Sequence, residues 1–371
     1  MQRLIAAFLF TACAGTAAAY TAPAARDDGW AVADAKALGW DVSRFDAVEA
    51  KVADKTYPDI TSLVVAQRGK LVYEAYFGAG GADVLNDMRS ATKSVTSLLV
   101  GLAIDRGLIP GVDAKVYSYF ADKAPAAGLD PRKAAITLED LLTMSSIWQC
   151  DDENPATAGN EERMYVSEDW VQFALDLPVR GYAPWDKRPK DSPYGRTFAY
   201  CTAGSFMLGA VVERATKQPL AKFAHDALEA PLGIDKVQWN VSSEGVGMGG
   251  GGTRYRSRDV AKIGETVRTG GQWNGKRVIS KAWIDAALTP RAVPRDDVEY
   301  GYQFWRFKFP VRGKDTWIWA MSGNGGNYVF VSPELELVAV VTSTGYNKRD
   351  SHPRSQEVLR EYLLKALPAK P

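Results

Sequence analysis

The stretch RSATKSVTSLLVGLAIDRG, Arg89 to Gly107, holds the only Ser-x-x-Lys spacing in the chain, with Ser90 three residues ahead of Lys93. The residues after Lys93 are apolar at helical spacing and the run stops at Gly107, so Ser90 is predicted to open a helix. Side chains at i and i+3 share a helix face, which brings the lysine nitrogen within reach of the serine hydroxyl. A hydroxyl at a helix start also lies beside unpaired backbone N–H groups that can hold a developing oxyanion. The same spacing is equally that of a serine cap followed by a solvated lysine, so the rest of the chain has to decide between the two.

The chain has 371 residues, 46% hydrophobic and 24% charged, enough for a large core and far from a disordered or fibrous composition. Its first residues, MQRLIAAFLFTACAGTAAAYTAP, combine Arg3, an apolar run from Leu4 to Phe10 and small residues ending at Ala19. That pattern predicts a signal peptide over residues 1–19 and an exported protein, periplasmic or secreted. The run is shorter than the ~20 apolar residues of a membrane span, and no later stretch is long enough, so no integral membrane segment is expected in the mature chain. FTAC, ending at Cys13, offers a second processing route in which Cys13 is lipidated. Cleavage after Ala19 removes Arg3 and no acid, leaving 44 basic and 44 acidic residues; a neutral chain has no electrostatic logic for nucleic acid. It also leaves two cysteines, Cys150 and Cys201, which in an oxidising compartment pair as one disulfide or else remain two buried thiols.

SLVVAQRGKLVYEAYFG, 62 to 78, reads as a β-hairpin turning at Arg68-Gly69-Lys70. From Pro110 to about Gly233 the pattern is helical and loop-rich: Thr137 and Asp140 frame a capped helix in TLEDLLTM, and AGSFMLGAVVERA is amphipathic. Between them lie a polar segment, Asp151 to Glu162, and a Pro/Gly-rich one, Pro178 to Gly195, of a length usual for the rim of a site. Strand character returns at 301–309, 316–322, 327–331 and 335–344, and SQEVLREYLLKAL closes the chain as a helix. Strands near both ends with helices between them predict a mixed α/β fold: a sheet domain from 20–109 together with 245–371, and an inserted, mostly helical domain over 110–244.

The catalytic inventory is narrow. His225, inside a helical run, and His352, just ahead of the closing helix, are the only histidines, and both suit the surface or the core edge. No Gly-x-Ser-x-Gly elbow, His-Glu-x-x-His or Cys-x-x-Cys pattern occurs, so neither a histidine-dependent triad nor a metal is expected. Gly249 to Gly252 lacks the rest of a nucleotide-loop fingerprint and reads as tight backbone packing. A nucleophilic serine here would need lysine or tyrosine as its base.

In order and spacing, SATK at 90–93, YCT at 200–202 and SGNGG at 322–326 resemble the serine β-lactamase and penicillin-binding-protein superfamily. The likeness is greatest to its class C-like hydrolases, which include esterases, D-peptidases and amide hydrolases such as 6-aminohexanoate-dimer hydrolase. ITLEDLLTMSS, GNEERMY, GGTRYRSRDVAKIG and VSPELELVAVVT extend the resemblance over nearly all the mature chain. It implies a β-lactamase/transpeptidase-like antiparallel sheet flanked by helices, with Ser90 the acylated nucleophile, Lys93 its base and Tyr200 a proton shuttle. It further implies an oxyanion hole from the backbone N–H groups of Ser90 and Asn327, and substrate contacts from Thr202, Asn324, Gly325 and Gly326. Two positions depart from the family pattern: Thr202 stands for the usual Asn, and the neutral Asn324 for a cation.

The resulting expectation is a cofactor-free serine hydrolase that cleaves a small ester, amide or peptide-like substrate through a Ser90 acyl-enzyme. Its rivals are a β-lactamase or D,D-peptidase acting on cell-wall-like substrates and a non-catalytic module binding peptidoglycan or protein. The sequence is silent on oligomeric state.

Overall fold

The computed structural model describes residues 19–123 and 128–369. Cys13 and all but the last residue of the expected signal peptide lie outside them.

A nine-stranded sheet is assembled from the two ends of the chain. The first part supplies β1 (Ala31–Val32), β2 (Ile60–Gln67) and β3 (Lys70–Tyr76). Two short pairings follow, β4 (Asn86–Asp87) with β5 (Arg254–Tyr255), and β6 (Gln272–Trp273) with β7 (Lys276–Arg277). The second part supplies β8 (Ala292–Arg295), β9 (Val298–Tyr300), β10 (Trp305–Val311), β11 (Lys314–Gly323), β12 (Asn327–Ser332) and β13 (Leu337–Ser343). The order across the sheet is β1-β3-β2-β13-β12-β11-β10-β9-β8, antiparallel except for β1 against β3. The hairpin predicted from SLVVAQRGKLVYEAYFG is β2 and β3. Its turn residues Arg68 and Gly69 have φ of 51° and 77°, the left-handed pair that matches strand twist.

Strand alternation divides two cores. Val64, Ala66, Val329, Val331, Val338 and Val340 face one of them, in company with the helix Ser257–Arg268 and the Ser90 helix. Leu63, Val65, Phe330, Ala339 and Val341 face the other, against Phe45 and Val48 of the helix Ser43–Ala53 and Leu359 and Leu363 near the C-terminus. Central β13 is buried along its whole length, which is why its sequence reads as an unbroken apolar run.

Between the two strand groups the chain is helical and loop-rich. Thr137 and Asp140 form a reciprocal capping box on Leu138–Leu142, and Thr202–Thr216 makes the long helix expected from its periodicity. The strand expected at 301–309 begins only at Trp305. Gln303 has φ of 61°, and its side chain donates to Leu141 O at 2.8 Å and accepts from Ser205 Oγ at 2.8 Å, so Gly301 to Phe304 is held as an irregular plug against the helices. No helix among the described residues is long and apolar enough to cross a membrane.

Candidate active site

The run after Lys93 forms the helix Thr92–Asp105, preceded by a single 3-10 turn, Arg89–Ala91. Arg89, one residue before Ser90, has φ of 48°, a left-handed conformation uncommon for a side-chain-bearing residue and found most often where a site demands it. It is held by its own N–H, which donates to Asp87 Oδ1 at 2.9 Å, and by its carbonyl, which accepts from Gly252 N at 3.3 Å. This sharp entry places Ser90 at the head of the helix.

Lys93 is 2% exposed, so it is not the solvated lysine of the alternative reading. Its Nζ donates to Ser90 Oγ at 3.0 Å and to Gly250 O at 2.6 Å, and lies 4.9 Å from the centre of the Tyr200 ring. Tyr200 and Ser90 border the same cleft, and the Ser90 side chain favours the ionised form of the Tyr200 phenol. Burial pulls the Lys93 ammonium down to about 8, although Glu161 and Asp152 oppose that pull by favouring its charge. Burial pushes the Tyr200 phenol well up, so it is neutral at ordinary pH.

The glycine run at 249–252 acquires a use here. A Cβ on Gly250 would sit 2.8 Å from Thr202 Cγ2, so only glycine lets this backbone come close enough to present its carbonyl to Lys93. A second close approach fixes the other wall. A Cβ on Gly323 would lie 2.0 Å from Met88 O and 3.1 Å from Ala91 N, so the end of β11 runs directly against the turn that carries Ser90.

A cleft of about 340 Å³ opens onto Ser90 and Tyr200. Trp305, Phe307 and Tyr328 give it an aromatic wall, Asp152, Glu153 and Glu161 an acidic side, and Arg295 and His352 a basic one. Sequence reasoning singled out neither Asp152 nor Arg295, which carry no motif, nor Glu161, which it passed over within GNEERMY. It also set His352 ahead of the closing helix at the surface or core edge. His352 is half-buried at the core edge, but it lies inside the helix Ser351–Glu357 and borders the cleft, its Nδ1 sharing a hydrogen bond with Tyr328 Oη at 2.8 Å. His225 lines a different cavity. Among the described residues, no group of three or more His, Cys, Asp and Glu is arranged to hold a metal ion.

The expected oxyanion donor Asn327 needs correction. It begins β12 in register with Gly323 and is 0% exposed; its side chain donates to Asn324 O and Ser343 O and accepts from Ser343 N. The residue that borders the cleft directly after Gly323 is Asn324, and no hydrogen bond within the described residues engages its backbone N–H. The Asn324 side chain is tied to Asn347, donating to Oδ1 at 2.6 Å and accepting from its N–H at 2.9 Å. Gly325 and Gly326 do not line the cleft. They turn the chain with φ of 87° and 84° beneath Tyr346 and Ser351. Thr202 is 1% exposed, with no partner for its hydroxyl among the described residues; its backbone N–H donates to Asp152. Cys150 and Cys201 form a disulfide across 51 residues, and Cys201 adjoins Tyr200.

A large antiparallel sheet against a helix headed by Ser90 and Lys93, with Tyr200 closing the group, is the arrangement of the serine β-lactamase and penicillin-binding-protein class. Residues 46–363 match the family model described as Beta-lactamase, and the chain belongs to that family. It is 26% identical over 252 residues to the 6-aminohexanoate-dimer hydrolase of Paenarthrobacter ureafaciens, a match spanning 67% of this chain and 62% of that one. It is 33% identical over 184 residues to esterase EstB of Burkholderia gladioli, spanning 46% of this chain and 44% of the relative. The chain thus covers less than two thirds of either relative's length. The fold is shared with a penicillin-binding protein homologue from Pyrococcus abyssi at a TM-score of 0.62 and 20% identity, covering 88% of this chain and 79% of that one.

Proposed function

We propose that this protein is an exported serine hydrolase that cleaves an ester or amide bond by way of an acyl-enzyme on Ser90. The observation that carries the reading is the buried Lys93 amine, 3.0 Å from Ser90 Oγ and depressed to about 8. A lysine so placed has a usable neutral fraction near neutral pH, and a structural lysine has no need of such a position.

In the first half-reaction the neutral Lys93 amine takes the Ser90 proton as Oγ attacks the carbonyl carbon. The oxyanion is received by the backbone N–H groups of Ser90 and Asn324. Tyr200, beside Ser90 on the cleft and packed on Lys93, passes the proton to the departing alcohol or amine. In the second half-reaction water gives its proton to the same Lys93–Tyr200 pair and attacks the ester carbonyl, releasing the acid and restoring Ser90. The aromatic wall suits an apolar acyl or leaving group, and the names of the two relatives are those of an amide hydrolase and an esterase. The disulfide agrees with export, since such bonds persist in oxidising compartments.

A second reading, a β-lactamase or D,D-peptidase, draws support from Arg295 on the cleft, where a substrate carboxylate would find a cationic partner. Intact-mass detection of a covalent adduct, located to Ser90 by peptide mapping after exposure to esters, amides and β-lactams, tests both readings. Absence of any Ser90 adduct with turnover intact would remove the acyl-enzyme. An adduct formed only by β-lactams would favour the second reading.

A further inference from the structure

Asp152 sits in a polar loop as one acid among several, yet its hydrogen bonds are those of a keystone. Its N–H donates to Tyr200 O at 2.8 Å. One carboxylate oxygen accepts from Thr202 N at 2.6 Å, at the start of the long helix that follows Tyr200. The other accepts from Glu161 N at 3.0 Å, at the start of the helix Glu161–Tyr165, and its carbonyl accepts from Asn160 Nδ2 at 3.1 Å. The Cys150–Cys201 bond ties the same two segments, two residues before Asp152 and between Tyr200 and Thr202. Asp152 also borders the cleft beside Ser90, and Lys93 and Asp152 act on each other electrostatically.

We propose that Asp152 is a positioning residue for proton transfer: its carboxylate locks the Tyr200 segment across two helix starts while its negative charge faces Lys93. Neither part needs contact with substrate. The lock fixes where the Tyr200 hydroxyl meets Ser90 and Lys93, and misplacement of about 1 Å in such a group costs on the order of a hundredfold in rate. The charge favours the ammonium form of Lys93 and so restrains the depression that burial alone would produce. Burial in turn raises the Asp152 carboxyl to about 6, against the opposing pull of Lys93. The other titratable groups on this cleft are Glu153, Glu161, Tyr200, Arg295, Tyr328 and His352. Glu161 is the one that, with Asp152, acts on Lys93.

This inference rests on the serine–lysine reading, and three variants of the full chain separate the two. The probe is a neutral short-chain nitrophenyl ester, with kcat and KM measured across pH and the Ser90 adduct checked by mass. Asp152→Asn puts an amide donor against one of two backbone N–H groups and removes the charge. Its plateau kcat is expected to fall roughly 30- to 100-fold with KM changed less, and its rising pH limb to move down by roughly half a unit or more. Thr202→Pro deletes the N–H that Asp152 accepts, together with the side chain packed on Gly250, at the first helical position, where proline is tolerated; Thr202→Ala, which removes the side chain and keeps the N–H, is its control. Relative to that control, Thr202→Pro is expected to lower the plateau and leave the limb in place. Glu161→Gln removes a neighbouring charge without touching the bonds to Tyr200 and Thr202, so the limb should move down with the plateau within about threefold. These last two variants keep the test open should Asp152→Asn fail to fold. A parent-like plateau in folded Asp152→Asn or in Thr202→Pro overturns the lock. A limb that stays put when either charge is removed overturns the electrostatic part. If the parent forms no Ser90 adduct, the serine–lysine reading itself falls.

Discussion

Lys93 makes the pH dependence of the reaction calculable. In the proposed mechanism its amine must be neutral to accept the Ser90 proton, and burial brings its ionisation down to about 8. At pH 7 roughly one tenth of the free enzyme would then carry the neutral amine, and at pH 9 roughly nine tenths, so kcat/KM should rise about tenfold between them and level off above. A solvated lysine, ionising near 10.4, would give a rise of close to a hundredfold over the same span with no plateau. The neutral Tyr200 phenol adds no limb in this range, because burial raises its ionisation far above it. The assay is the initial rate on a neutral nitrophenyl ester from about pH 5.5 to about pH 10, corrected for spontaneous hydrolysis, with stability checked at both ends. A neutral ester keeps substrate ionisation out of the profile. A profile flat from pH 7 to pH 9, or one still climbing tenfold per unit at pH 10, would refute Lys93 as the base.

Ser90→Ala should abolish turnover and the mass adduct while changing stability by about 1 kcal/mol at most, checked by thermal melting. Lys93→Met should be as inactive yet melt no lower than the parent below pH 8. A folded-state value near 8 against 10.5 means a buried ammonium that costs about 3 kcal/mol there, and the cost fades as pH rises toward 10.5; comparing the two melting profiles across that window checks the sign. Reducing the Cys150–Cys201 bond, which closes a loop of 51 residues, should lower unfolding free energy by roughly 4 kcal/mol in denaturant titrations, and activity with it, because Cys201 adjoins Tyr200. Neutral esters or amides should be turned over more efficiently than penicillins or cephalosporins. Arg295→Ala, which removes a cation from the cleft, should widen that gap by about 1 to 2 kcal/mol in kcat/KM, read on a nitrophenyl ester against a chromogenic cephalosporin.

What the sequence disclosed was what is local. The Arg68-Gly69 turn, the Thr137–Asp140 capping box and the helix headed by Ser90 are each decided within a few residues, and each lies where the residue pattern put it. The start of β10 is decided elsewhere: Gln303 looks like a strand residue until Leu141 and Ser205 claim its side chain. Asp152 was illegible for a related reason. In Asp151-Asp152-Glu153 nothing distinguishes the middle acid, and only folding brings it under Tyr200 and Thr202. The misplacement of the oxyanion donor at Asn327 is a matter of register. The three residues after Gly323 form a turn, so the N–H nearest the cleft belongs to the first of them, while Asn327 has already returned into the sheet.

These misses share a physical origin that says how the site works. A motif records side chains, but the contacts that turn Ser90, Lys93 and Tyr200 into one site are largely made by backbone: Gly250 O on the lysine, the bare Cα of Gly323 against the serine turn, and the Asp152 N–H on the tyrosine's carbonyl. Each comes from a segment far along the chain from Ser90, and two of the three require the absence of a side chain, which a residue-by-residue reading registers as nothing at all. The same contacts exclude water from Lys93, and that exclusion is what lowers its ionisation. The chemistry therefore depends on how tightly Gly250 and Gly323 close on the helix as much as on the three side chains. Gly250→Ala, which brings a methyl to within 2.8 Å of Thr202 Cγ2, should push that segment back, let water reach the amine and move the rising limb of the pH profile upward, with Ser90, Lys93 and Tyr200 all still present.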